Sequence, residues 1–297
     1  MAVIENTTTN EQFLKVANID FVEHFSRTIE SLEEMLGIHR KTELNIGDTL
    51  QTYKSRVELQ DGKVDPGDII PLSQVFFEPD REWTLDYFKY SKLVPIEVIQ
   101  KQGFNTAVSK TDDEMMFKIQ SDIRDRFFEQ LELSASENSI AVADFQTAFA
   151  QAWGRVETAF QGEASGNIVF VNPLDIADYL SKGNIITQTS FGMNYLEGFM
   201  GTDRTVISTQ VPKGTVYATA PSNLNLVFAN VTGGEIGKSG MNFTGDSTGM
   251  VGISREAVKH RMSVVTYILY SILLFAERTD GVFKFTLGGE EDSTPRV

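Results

Sequence analysis

The sequence predicts an α+β fold built around one long helix, and three observations carry that prediction. Residues 111–133 place Met116, Ile119, Ile123, Phe127 and Leu131 at steps of three, four, four and four, one apolar stripe at about 100° per residue. Residues 44–83 hold two strand-like runs joined by turn signals at Asp61-Gly62 and Asp65-Pro66-Gly67, the pattern of an extended hairpin. From residue 167 onward, short apolar strands alternate with turns and one helix, a mixed unit of different texture.

Composition bounds the possibilities before any motif is considered. A chain of 297 residues, 41% of them hydrophobic, can bury a sizeable core. The absence of cysteine removes disulfides, thiolate catalysis and Cys-ligated metal together, and fits assembly in a reducing compartment or a chain that needs no staples. With 41 acidic against 26 basic residues the net charge is -15, and no block of Lys and Arg offers the phosphate contacts of general nucleic-acid binding. The N-terminus lacks a charged segment followed by an apolar run, so no export signal is expected. That also leaves Asn6, Asn230 and Asn242, each in an Asn-x-Thr frame, without glycosylation significance.

In chain order, a polar tail leads to Phe21, Phe25, Ile29, Leu32 and Leu36, an amphipathic helix with Asp20 as N-cap and Gly37 as its stop. The hairpin follows, its first strand dominated by polar side chains, and a two-stranded ribbon is marginal alone in water, so it is expected to lie on something else. Residues 83–103 read as a strand ending at Val94-Pro95 and a short helix closed by Gly103. In the long helix Thr111 and Glu114 form a capping-box pattern, with Asp112 and Asp113 in the first turn, so its start is expected at Thr111. Phe145, Phe149 and Trp153 share a face of the next helix, which is expected to pack against the long helix's stripe.

Beyond the small-residue break at 161–166, residues 168–171 read as a buried strand, and Pro173 opens a helix ending at Gly183. Three strands follow, around a Val-Pro-Lys-Gly turn. The glycine-rich stretch between 222 and 254 reads as a long functional loop. The most apolar run, 264–275, is twelve residues long, where a membrane span needs ~20, so a buried core helix is expected there. Residues 280–289 close the fold as a last strand.

Candidate chemistry is sparse. Residues 233–239, Gly-Gly-Glu-Ile-Gly-Lys-Ser, resemble a phosphate-binding loop, but Thr232 stands where its first glycine belongs, so a glycine loop is the reading and a nucleotide-binding enzyme the least favoured function. His24, His39 and His260 have no metal-ligand spacing. Asp112/Asp113 and Glu290/Glu291 are read as capping and solvated pairs, and no Gly-x-Ser-x-Gly elbow surrounds Ser190, Ser239 or Ser247. No enzymatic activity, catalytic residue, cofactor or metal is expected.

Taken in order, three stretches carry a resemblance: KLVPIEVI at 92–99, IVFVNPLDIADYL at 168–180 and VISTQVPKGTVYATA at 206–220. Together with the arm, hairpin, long helix and returning strand, the chain resembles the major capsid proteins of tailed bacteriophages, the Hong Kong 97 type fold. The resemblance implies an N-terminal arm at 1–43, an extended loop at 44–83, a peripheral domain at 84–166 and 276–297 with a spine helix at 111–133, and an axial α/β domain at 167–275.

It further implies a shell that self-assembles as pentamers and hexamers around double-stranded DNA without sequence-specific contact. A separate scaffolding protein and a portal are the implied partners, and the virion, assembled in the host bacterial cytoplasm, the implied location; no membrane is involved. An encapsulin-like nanocompartment is the alternative. Intersubunit contacts are expected at Lys54, Arg56, Glu58, Lys63 and Asp65 on the extended loop, and at Gly233, Gly234, Lys238 and Gly240 on the axial loop, whose low charge lets copies meet around an axis.

Overall fold

A computed structural model describes residues 10–38, 40–45, 47–64, 69–162, 166–182, 187–232, 236, 238 and 241–288. The first helix, α1 (Asn10–Leu36), buries Phe21, Phe25, Ile29, Leu32 and Leu36 as its spacing predicts. It does not start at Asp20, which is exposed and lies inside the helix. Gly37 ends it at φ 68°, where an added Cβ would stand 3.0 Å from Pro221, so both conformation and space call for glycine.

Strand β1 (Lys41–Glu43) precedes the hairpin of β2 (Thr49–Glu58) and β3 (Gln74–Thr84). Residues 69–73, expected in the second strand, lie outside it, and Pro71 lacks the N–H that a ladder needs. Trp83 belongs to β3 and not to the next strand. Then come β4 (Phe88–Pro95), α2 (Ile96–Gln102) and, across Gly103 at φ 81°, α3 (Phe104–Ala135).

At 32 residues α3 is about 48 Å long, and it begins seven residues before the expected capping box. Thr111 is interior to it, its hydroxyl bonded back to the Ala107 and Val108 carbonyls at 2.8 and 2.9 Å. Asp112 is no first-turn dipole partner either; it is buried among cations described below.

The rest of the chain runs β5 (Ser139–Val142), α4 (Phe145–Ala159), β6 (Ile168–Val171), α5 (Pro173–Lys182), β7 (Gln188–Ser190), β8 (Met193–Glu197), β9 (Arg204–Ile207), β10 (Thr215–Thr219), β11 (Leu224–Phe228), β12 (Thr244–Gly245), β13 (Val251–Val258), β14 (Ser263–Tyr270), β15 (Ile272–Ala276) and β16 (Phe283–Leu287). The expected core helix at 264–275 is instead the strand pair β14 and β15, broken at Ser271. Its Val, Ile and Tyr content favours strands, and a short apolar run does not by itself distinguish helix from strand. The third strand expected after the Val-Pro-Lys-Gly turn is β11, while the long loop expected to run on to 254 contains β12 and the start of β13.

Among the described residues four sheets result: β5-β16-β10-β6-β9-β8-β7, β12-β13-β14-β4, β1-β11-β15 and the ribbon β2-β3. The sheets cut across the partition expected from the sequence. β16 joins the sheet of β6 and β10, whereas β13 and β14 pair with β4.

Burial on both faces of the seven-stranded sheet explains the continuous apolar run of β6. Ile168, Phe170 and Tyr217 face the core that holds α1 and the α3 stripe; Val169, Val171, Val216 and Ala218 face a second core with Phe145, Phe149 and Val156 of α4. The sheet therefore separates α3 from α4, which the sequence placed in contact, and Trp153 is 53% exposed. Asp144 caps α4, accepting from the Thr147 amide at 2.7 Å.

Candidate assembly surfaces

The ribbon is anchored at its base and bare beyond it. Trp83 stacks on Phe275 at 4.9 Å within a small cluster that includes Leu85, Val227 and Ala229. One turn of ribbon further out, Arg81 donates to the Leu133 carbonyl at 2.6 Å, and Asp80 accepts from Lys54 Nζ at 3.0 Å and Thr279 Oγ1 at 2.8 Å. Burial alone would raise the Asp80 pKa, but these donors outweigh it and hold the carboxyl below its usual range. Among the described residues from 53 to 82 none is buried.

Register divides the ribbon into two faces. Tyr53 pairs with Pro79 and Val57 with Val75, so these side chains share a face with Phe77, midway between Val75 and Pro79 on β3. That face is an apolar stripe in water: Tyr53 is 55%, Val57 54%, Val75 47% and Phe77 69% exposed. The other face pairs Lys54 with Glu78, Arg56 with Phe76 and Glu58 with Gln74. There Arg56 bonds Glu58 and lies over the Phe76 ring at 5.9 Å.

Of the residues expected at subunit contacts, the structure therefore brings Lys54, Arg56 and Glu58 together on the polar face, already engaged within the chain. Lys63 is exposed near the tip, its amide donating to Asp61 at 2.9 Å. Lys238 lies on a separate element, the loop after β11, while Asp65, Gly233, Gly234 and Gly240 lie outside the described residues, as does most of the phosphate-loop resemblance. That loop is pinned at its root, where the Val231 amide donates to the Gly249 carbonyl at 2.8 Å.

Of two charged clusters the sequence shows only one contact, Asp122 and Arg126 at i,i+4 spacing. Asp112 on α3 bonds Lys92 of β4 and accepts from Arg255 of β13 at 2.6 Å; Arg255 also donates to Asn18 of α1 at 2.6 Å. Burial pushes the Lys92 and Arg255 pKa values down, opposed in both by Asp112. Asp122 on α3 accepts from Tyr270 at 2.7 Å, Tyr90 at 3.0 Å and Arg126 at 2.9 Å, and these donors outweigh burial to lower its pKa. The other partners, 20 to 237 residues apart, leave no local signal. The apolar stripe had a faint one, Tyr53 and Val57 four residues apart on one face of β2, obscured by the polar residues between.

No family model matches the sequence, and neither does any curated protein. Solved structures do match. The capsid structure of cyanophage P-SCSP1u superposes with a TM-score of 0.56 at 8% identity, covering 86% of this chain and 88% of that one. Gordonia phage Cozz gives 0.54 at 10% identity over 88% and 87%. The SrpI encapsulin of Synechococcus elongatus PCC 7942 gives 0.51 at 10% identity over 86% of both chains. Long helix, projecting ribbon and central sheet are thus one architecture, and the chain has the Hong Kong 97 type capsid fold.

Proposed function

We propose that this chain is the major capsid protein of a tailed bacteriophage, assembling as pentamers and hexamers into the icosahedral head that encloses double-stranded DNA. The observation that carries the reading is the ribbon: an anchored projection with an apolar stripe that its own subunit leaves in water. Contiguous exposed apolar surface marks interaction sites, and repeating one such contact through a symmetric shell makes the whole durable. The net charge of -15 fits a container that does not adhere to its polyanionic content. A separate scaffolding protein and a portal complete the assembly, in the host bacterial cytoplasm.

The test is to express the chain, alone and with the scaffolding gene, and image the products by electron microscopy. Closed shells of hexamers and pentamers are expected; a monomer under every assembly condition sinks the proposal. The match to the SrpI encapsulin favours a second reading, a cargo-holding shell of the same fold. Particles purified from the native source distinguish the two: double-stranded DNA inside supports the capsid, a packaged protein the encapsulin.

A further inference from the structure

We propose that the cleft between the base of the ribbon and the β1-β11-β15 sheet binds an extended peptide through the uncharged carboxamide of an Asn or Gln side chain. The cleft measures about 300 Å³. One face of the sheet supplies its floor, where Thr42 of β1 stands beside Val227 of β11 and Asn225 beside Phe275 of β15. Leu50, Gln51 and Tyr53 of β2 line it from the ribbon.

The observation that points to a ligand is Asn225, on the middle strand of that floor. Its Nδ2 donates to Glu277, another residue of the cleft, at 2.9 Å, whereas its Oδ1 is buried with no partner among the described residues. An acceptor left unpaired inside a protein is costly, and a donor brought into the cleft removes that cost. Asn225 is 5% exposed, so only the slender end of a side chain reaches it.

Chemistry narrows the ligand. The charged residues of the lining, Arg40 and Glu277, already pair with each other at 2.7 Å, so a charged group would enter without a counterion and be desolvated at a loss. A primary carboxamide enters uncharged. Its N–H donates to Asn225 Oδ1 and its oxygen accepts from Arg40, whose guanidinium has N–H groups beyond the one that bonds Glu277. Leu50, Val227 and Phe275 cover the methylenes behind that head group, a contact that a lone hydroxyl does not make. The carrier is an extended peptide because β1 and β2, which both line the cleft, each pair on one side only among the described residues. Open strand edges take up an added strand through main-chain bonds, with a pocket reading its side chain.

The test uses the full chain as unassembled subunits, titrated by ligand-detected NMR with acetyl-Ala-Gln-Ala-N-methylamide and with its counterparts carrying Glu or Met in the middle. Saturable binding of the Gln peptide is expected at about 1 mM or tighter, with the Glu and Met peptides about tenfold weaker or more. Asn225→Leu should weaken the Gln peptide about tenfold and leave the Met peptide where it was. Its melting temperature should not fall, since the change removes an unpaired acceptor. Arg40→Met, on an exposed side chain, should weaken the Gln peptide in the same direction and keeps the test available if Asn225→Leu does not fold. Three results overturn the proposal: no saturable binding of the Gln peptide, equal affinity for all three peptides, or Gln-peptide binding undiminished in both variants. Binding is read on subunits, so its outcome and that of the capsid reading are separable.

Discussion

Asp112 and Arg255 are 143 residues apart in sequence and 2.6 Å apart in space, in the N-terminal third of α3. The Arg255 side chain is fully buried and Lys92, also on Asp112, nearly so. One carboxylate thus serves two cations and, through Arg255 and Asn18, ties α1, α3, β4 and β13 together. A buried pair contributes little net stability compared with apolar residues, but removing one partner leaves a charge stranded.

Asp112→Ala should therefore cost about 3–5 kcal/mol, because two buried cations lose their counterion. Lys92→Met should cost much less, since Arg255 keeps its partner and the Met replaces a desolvated ammonium. Urea midpoints of the two variants give the comparison, and equal losses would show that Asp112 is not the centre of the cluster.

Acid sensitivity follows from Asp122. Its folded pKa lies below the unfolded value of 3.8, so its contribution is present above that value and is lost as pH falls through the folded pKa. Stability should drop on acidification below pH 3.8. In Tyr90→Phe/Tyr270→Phe two of the donors are gone, so the double variant should start lower at neutral pH and lose less on acidification. Denaturation midpoints measured from pH 6 downward test this, and parallel curves would contradict it.

Much of the fold was legible because burial writes periodicity into sequence. The α3 stripe, the α1 stripe, the Pro95 and Gly103 junctions and the hairpin all follow from local patterns. What failed had a local signal that tertiary structure overrode. Thr111 looked like a cap but turned its hydroxyl to the preceding turn, and the 264–275 run lacked the length that separates strand from helix. In the candidate surface, charges at Lys54, Arg56 and Glu58 drew attention to the polar face, while Tyr53 and Val57, the faint signal of the apolar face, stood out only once register set Val57 beside Val75.

Trp83 decides how the ribbon is held. It packs on Phe275 and Val227 at the base, and its indole N–H is buried without a partner among the described residues. Trp83→Ala should cost about 3–5 kcal/mol by cavity formation. Trp83→Phe should cost far less, because it keeps the ring contact and removes an unpaired donor. Thermal unfolding of both variants distinguishes this anchor from a ribbon that is merely tethered at its ends.

The apolar stripe separates subunit stability from assembly. Phe77 is 69% exposed and Val57 54%, so replacing both with serine removes little buried area and should change subunit stability by no more than about 0.5 kcal/mol. If a neighbouring copy covers the stripe, the same change deletes apolar contact at every repeat of the shell, and the loss multiplies with the number of contacts. Phe77→Ser/Val57→Ser should then yield folded, soluble subunits that no longer close into particles. Arg56→Ser on the opposite face should still assemble, since Glu58 and Phe76, which Arg56 contacts, lie within its own ribbon. Particle yield by sedimentation, set against the unfolding midpoint of each variant, checks both halves. Normal shells from the stripe variant would move the contact surface away from the ribbon's apolar face.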